Sequence, residues 1–267
     1  MKTVFFGSPD EAVPSLKALL ARGHQVAAAF TQPDRPAGRS SAPAPTPVKA
    51  AAERAGIPVR SPKTLRDAAV QAELKTYGAD AFVVVAYGKL LPPEVLAIPR
   101  LGVLNVHPSL LPSYRGPSPV QQAVLDGVEE TGVTVMLLDA GMDTGPVLSQ
   151  RRVPLSGDET AAALMGRLFD EGARLLVDTL ERYARGDVRP QAQDDAKATV
   201  TKLLNREDGE IDWSKPSVQI ARAVRAYDPW PGTHTRWKGQ SLKVLEVQAV
   251  GGRAGEPGTV DVRDGGL

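Results

Sequence analysis

The chain has 267 residues, 42% of them apolar, and a formal charge of +1 at pH 7. That length supports one large domain or two smaller ones with a real core. The balanced charge gives bulk electrostatics no bias toward nucleic acid or acidic substrates. There is no cysteine, and the three histidines stand far apart at 24, 107 and 234. A disulfide framework and thiolate-bound zinc are thereby excluded, no zinc-type spacing is present, and no metal is expected. The apolar run at residues 1–7 is too short for a signal sequence or a membrane span, so the chain is expected to be soluble, cytoplasmic and without membrane contact.

Residues 4–6 read as a short buried strand. Gly7-Ser8-Pro9-Asp10 turns the chain into a helix at 14–22, which Gly23 closes just past its last turn. Residues 25–31 form the next strand. This is the βαβ start of a doubly wound α/β sheet. Gly7 is not followed by the second and third glycines of a dinucleotide fingerprint, so a nicotinamide cofactor is not supported. The stretch 32–47 holds five prolines, at 33, 36, 43, 45 and 47, together with Asp34, Arg35, Gly38 and Arg39. A long irregular loop at the carboxyl end of a strand is expected to be functional, because open α/β sheets bind ligands there.

Helices follow at 48–55 and 67–77, stopped by Gly56 and Gly78, with an extended piece at 59 between them. Residues 81–86, with the run Phe82-Val83-Val84-Val85, are a strand covered on both faces. It ends in the turn Tyr87-Gly88-Lys89-Leu90-Leu91-Pro92. The next strand spans 101–106, and a helix at 119–126 stops at Gly127. The β-branched run 131–138 is a strand that enters the polar turn Asp139-Ala140-Gly141-Met142-Asp143-Thr144-Gly145-Pro146. Residues 147–153 return antiparallel at the edge of an otherwise parallel sheet. A long amphipathic helix covers 160–185. Residues 186–200 are polar and read as an interdomain linker. A helix at 217–226 and strand-like pieces at 233–237, 242–248 and 259–262 suggest a small β-barrel.

Polar side chains gather at the ends of these strands. Asn105 and His107 sit two residues apart on extended chain, which points both to one face. Pro108 and Pro112 then stiffen the loop Ser109-Leu110-Leu111-Pro112. In a parallel sheet the strand end bearing Asp143 and the 87–91 turn would lie along the same edge. An amide can donate to a developing oxyanion, and a carboxylate can orient an imidazole and stabilise its charged form. Such a set resembles an acyl-transfer site in which no covalent enzyme intermediate is needed. Asp139 is the competing carboxylate. Ser109 is the one hydroxyl close to His107 in sequence, but the G-x-S-x-G elbow of serine hydrolases is missing.

The motif Asn105-Val106-His107-Pro108-Ser109-Leu110-Leu111-Pro112, followed at a distance by Asp143-Thr144-Gly145, resembles the signature of the formyltetrahydrofolate-dependent formyltransferases. Thr31-Gln32-Pro33-Asp34-Arg35-Pro36-Ala37-Gly38-Arg39 and Asp228-Pro229-Trp230-Pro231 are similar to the branch acting on initiator methionyl-tRNA. The resemblance implies a Rossmann-like domain at 1–186, a linker at 187–203 and an OB-like C-terminal domain at 204–267, which three countable strands leave truncated. It implies 10-formyltetrahydrofolate as co-substrate, Asn105, His107 and Asp143 as catalytic residues, and a monomer. The folate would meet Ser109, Leu110, Leu111 and Pro112, the turn bearing Tyr87, Gly88, Leu90 and Leu91, and the loop bearing Asp139 and Gly141. The loop with Arg35 and Arg39 would meet the tRNA. Two alternatives stand beside this reading: formyl transfer to a small amine, and a non-catalytic folate- or RNA-binding module.

Overall fold

A computed structural model describes residues 1–36, 43–251 and 256–260. Its centre is β1 (Lys2–Gly7), which pairs in parallel with β2 (Gln25–Phe30) on one side and β6 (Ala81–Val85) on the other. The sheet extends through β5 (Val59–Arg60) at one edge, and through β7 (Val103–His107), β8 (Glu130–Leu137) and β9 (Val147–Pro154) toward the other. The five strands from β5 to β7 are parallel, whereas β8 runs antiparallel to β7 and β9 antiparallel to β8.

Helices cover both faces: α1 (Val13–Ala21), α2 (Pro47–Arg54), α3 (Ala68–Thr76), α4 (Pro93–Leu96), α5 (Pro119–Asp126) and α6 (Ala161–Arg185). Side chains separate by strand alternation. Leu104 and Val106 join the core built with α1 and α6, while Val103 joins a second core with Phe6, Phe30, Phe82 and Tyr87. Phe6 anchors that second core, with ring centroids 5.0 Å from Phe30 and 5.4 Å from Tyr87. On the first face α6 approaches β7 closely because Gly172 has no side chain; a Cβ there would lie 2.6 Å from Val106 Cγ1.

One expectation needs correcting. The proline-rich stretch is not wholly irregular: β3 (Arg35–Pro36) and β4 (Pro43–Ala44) pair as a short antiparallel ribbon. The four-residue helix α4 leaves no mark in the sequence pattern because one turn shows no period. The linker segment 186–200 packs against the first domain. It carries a 3-10 turn at Asp195–Lys197, and Gln191 and Val200 form backbone bridges to Val147 and Arg115.

Beyond it, α7 (Ser217–Ala226) precedes the hairpin of β10 (Thr233–Trp237) and β11 (Gln240–Val244). Lys238 and Gly239, with φ of 49° and 79°, supply the two left-handed positions of its two-residue turn. Among the described residues this hairpin is all the sheet that the C-terminal part forms: 245–248 and 259–260 are not strand, and a closed barrel is not seen. Ala226 of α7 packs with Val120 and Val124 of α5, and Arg222 Nη1 donates to the Asp126 carbonyl at 3.1 Å. Among the described residues no helix is long and apolar enough to cross a membrane.

Candidate active site

Asn105 and His107 share the face of β7 opposite Leu104 and Val106, as the spacing requires. Both are nearly buried, at 9% and 4% exposure. The Asn105 amide makes no side-chain hydrogen bond among the described residues, so its donors and acceptor are available at the strand's carboxyl end. His107 Nε2 lies 2.9 Å from the Tyr114 carbonyl. A carbonyl only accepts, so Nε2 carries the hydrogen and donates it there. The other ring nitrogen, Nδ1, faces Asp143 Oδ2 at 3.7 Å. That is too long for a direct hydrogen bond.

The route by which Asp143 reaches His107 differs from the expected row of parallel strand ends. Because β8 is antiparallel to β7, Leu137 ends beside Leu104, near the amino end of β7. The loop therefore has to travel back along β7 to bring its carboxylate to His107. It closes where Leu137 N donates to the Pro146 carbonyl. Asp143 holds a left-handed φ of 56°, uncommon for a residue with a side chain. Its Oδ2 accepts from Gly116 N at 2.7 Å. Gly145 must be glycine, since a Cβ would lie 1.9 Å from the Leu137 carbonyl oxygen. The imidazole is thus held through Nε2 by the Tyr114 carbonyl, with Asp143 facing its other nitrogen.

Tyr114, Arg115 and Gly116 complete the loop that starts at Pro108. Tyr114 has φ of 61° and its phenol donates to Asp126 Oδ2 at 2.8 Å. Burial, and then that hydrogen bond, push its phenol up to about 12, so it stays a donor at neutral pH. These residues stood beside the motif in sequence without a role, because their contacts are long-range.

The residues expected to meet folate divide into bracing and exposed groups. Ser109 is fully buried and donates to the Ser113 carbonyl at 2.6 Å, which makes it a loop brace. Leu111 N donates to Thr134 Oγ1, and the Leu111 carbonyl accepts from Gln150 Nε2. Thr134 Oγ1 in turn donates to the Ser109 carbonyl, so a buried threonine ties the loop to β8. Leu110 packs over Gly132, where a Cβ would meet its Cδ2 at 2.5 Å. Pro112 accepts from Thr199 N through its carbonyl.

Tyr87 cannot present its ring to a ligand. It is 1% exposed in the aromatic core, where burial pushes its phenol up to about 12. Its carbonyl faces Gln32, whose Nε2 donates to it at 3.0 Å. Gly88 takes φ of 74°. Leu91 is 9% exposed, whereas Leu90 is 85% exposed. Asp139 Oδ1 accepts from Gly141 N and Thr144 Oγ1, which shapes the loop and removes Asp139 as a rival partner for His107. Met142, half exposed on the Asp139 loop, lies near Gly116 of the loop after β7. Arg35 is exposed on β3, and Arg39 lies outside the described residues. No group of three or more His, Cys, Asp or Glu able to hold a metal occurs among the described residues.

An amide, an imidazole and a carboxylate converge where a doubly wound sheet ends, beside two loops with exposed apolar tips. Residues 1–180 match the formyl transferase family, and residues 203–267 match the formyl transferase C-terminal domain. The chain belongs to the methionyl-tRNA formyltransferase family. It is 54% identical over 269 residues to the methionyl-tRNA formyltransferase of Roseiflexus sp. (strain RS-1), covering 99% of this chain and 83% of the relative. It is 52% identical over 267 residues to that of Chloroflexus aurantiacus (strain J-10-fl), covering 99% and 86%. Among solved structures, an N-formyltransferase from Helicobacter canadensis, determined with folinic acid and dTDP-3-aminofucose, superposes with a TM-score of 0.69. It is 21% identical and covers 92% of this chain and 86% of its own, a likeness of fold.

Proposed function

We infer that the chain transfers the formyl group of 10-formyltetrahydrofolate to the α-amine of methionyl-initiator-tRNA, with Asn105, His107 and Asp143 as the reacting cluster. The observation that carries this reading is that His107 Nδ1 faces Asp143 Oδ2 at 3.7 Å on the same strand face as Asn105, whose amide makes no hydrogen bond to protein among the described residues. Neither Nδ1 nor that amide is among the fully buried orphans, so both stay open to a ligand. A formyl oxygen can accept from them. Exposed Leu90 and Met142 offer apolar surface to the folate ring system and its linker.

The amine nitrogen attacks the formyl carbon and forms a new C–N bond. Asn105 donates to the developing oxyanion, and protonated His107 donates from Nδ1, since Nε2 is committed to Tyr114. Asp143 sets negative charge beside the His107 ring and takes a proton from the amine through water. Collapse of the intermediate breaks the bond to N10 of the folate, which regains a proton. The product is N-formylmethionyl-tRNA, the form used to start translation. Arg35 and Arg39 meet the acceptor end of the tRNA. The protein acts as a monomer in the cytoplasm; light scattering at assay concentration tests the first statement.

The decisive assay offers 10-formyltetrahydrofolate with methionyl-initiator-tRNA, methionyl-elongator-tRNA, or a small primary amine. Formylation of the initiator species alone is expected. Equal use of a small amine would shift the reading to another branch of the family, and binding of folate with no transfer would reduce the chain to a binding module.

A further inference from the structure

The segment that joins the two parts of the chain grips the loop that holds the His107 ring and the loop that carries Asp143. Thr199 O accepts from Arg115 N at 2.8 Å, Thr199 N donates to the Pro112 carbonyl, and Thr199 Oγ1 accepts from Tyr114 N at 2.7 Å. Thr201, 4% exposed, closes the same run: its N and Oγ1 donate to the Arg115 carbonyl, and Ser118 N donates to its Oγ1. The loop whose Tyr114 carbonyl orients His107 is therefore held by residues about 85 positions later in the chain.

Eight residues before Thr201, Gln193 reaches the other half. Its Nε2 donates to the Asp143 carbonyl at 2.8 Å and to the Gly145 carbonyl at 2.7 Å. Its Oε1 accepts from Arg115 Nε and Nη2 at 3.0 and 2.8 Å. The Arg115 side chain is itself buried and also pairs with Asp195. One amide thus staples the two carbonyls flanking the strained turn to the loop that carries Tyr114 and Gly116. A left-handed non-glycine residue persists only when its surroundings over-determine it. Asp143 has that support from Gln193 on its main chain and Gly116 on its carboxylate.

Resting on the formyl-transfer reading above, we propose that Gln193, clamped by Arg115, is a positioning residue for the reaction: it sets where Asp143 stands relative to His107, and the joining segment is part of the active-site scaffold. Glutamate at this position keeps the acceptor for Arg115 but has no donor, and it places an anionic oxygen against two carbonyls. Gln193→Glu is expected to lower kcat about tenfold or more, because misplacement of a reacting group by 1 Å costs that much. KM for both substrates should stay within about twofold, since neither substrate touches Gln193 in this assignment.

The test is a double-mutant cycle in single-turnover formylation of methionyl-initiator-tRNA, with wild type, Gln193→Glu, Asp143→Asn and the double variant. If Gln193 acts through Asp143, adding Gln193→Glu to Asp143→Asn costs nothing further. An equal fractional loss in both backgrounds, or an unchanged kcat, overturns the proposal. Gln193→Met, which removes both the donor and the acceptor without adding charge, runs through the same cycle if the glutamate variant melts early. Loss of cooperative folding in both variants would make Gln193 a fold element and also overturn the proposal. Failure of wild type to formylate methionyl-tRNA would instead remove the functional reading beneath it.

Discussion

His107 donates from Nε2 to the Tyr114 carbonyl at 2.9 Å, and this single bond commits Nε2 and turns Nδ1 toward Asp143. Nδ1 is left facing Asp143 at 3.7 Å, a gap wide enough that the two do not satisfy each other. Removing the imidazole or neutralising the carboxylate should therefore remove transition-state interactions more than substrate affinity. His107→Ala and Asp143→Asn are each expected to lower kcat by about 100- to 10,000-fold, the range for a positioned acid or base. KM for the folate and melting temperature should change little. Near-wild-type turnover in either variant would sink the cluster.

Asn105 is assigned the second oxyanion donor. Asn105→Ala should lower kcat about 100- to 1,000-fold, as loss of one such donor does elsewhere. Asn105→Asp should do no better, because an acceptor replaces the donor and adds repulsion toward the oxyanion. Recovery of activity by the aspartate variant in steady-state assays would show that Asn105 is not donating.

Gly145 tests the loop geometry by stability. A Cβ at 1.9 Å from the Leu137 carbonyl oxygen meets backbone, which cannot swing away as a side chain can. Gly145→Ala is expected to destabilise by about 2–3 kcal/mol, the scale of overpacking at a rigid site. Denaturant titration measures it, and a loss below a few tenths of that scale would show that the turn relaxes freely.

His24 gives the fold a pH dependence far from the site. Burial lowers its proton affinity, and the N-terminal ammonium, 3.3 Å away, adds to that. Glu181 at 3.5 Å pulls the other way without prevailing. The folded ring stays neutral in a range where the unfolded chain binds a proton. Its contribution is full above the unfolded value, near pH 6.5, and falls as pH drops toward the lower folded value. Wild type should lose melting temperature between pH 7 and pH 5.5, and His24→Gln should lose less over the same interval. Parallel curves would refute the assignment.

Much of the sheet and helix pattern could be read locally. The Phe82-Val83-Val84-Val85 run, the helix stops at Gly23, Gly56 and Gly127, and the 217–226 helix all follow from short-range patterning, and each lies where expected. Asn105 and His107 fall on one face of β7 because alternation along a strand needs no partner to define it. Family membership was legible for the same reason: the motif from Asn105 to Pro112 is contiguous.

The remainder depends on chain segments far apart, which local pattern cannot report. Nothing in the composition of 131–138 says whether β8 runs with or against β7, yet that direction sets the path of the loop to Asp143. Tyr87 looks like a ligand contact at a strand end, but packing against Phe6 turns its ring into the core. Gln193 looks like part of a polar tether until Arg115 and the carbonyls of Asp143 and Gly145 close around it. Backbone propensity and side-chain period placed the reacting residues on their elements. Long-range hydrogen bonds, which form only after the sheet has assembled, brought His107 and Asp143 together and chose Nδ1 as the nitrogen between them.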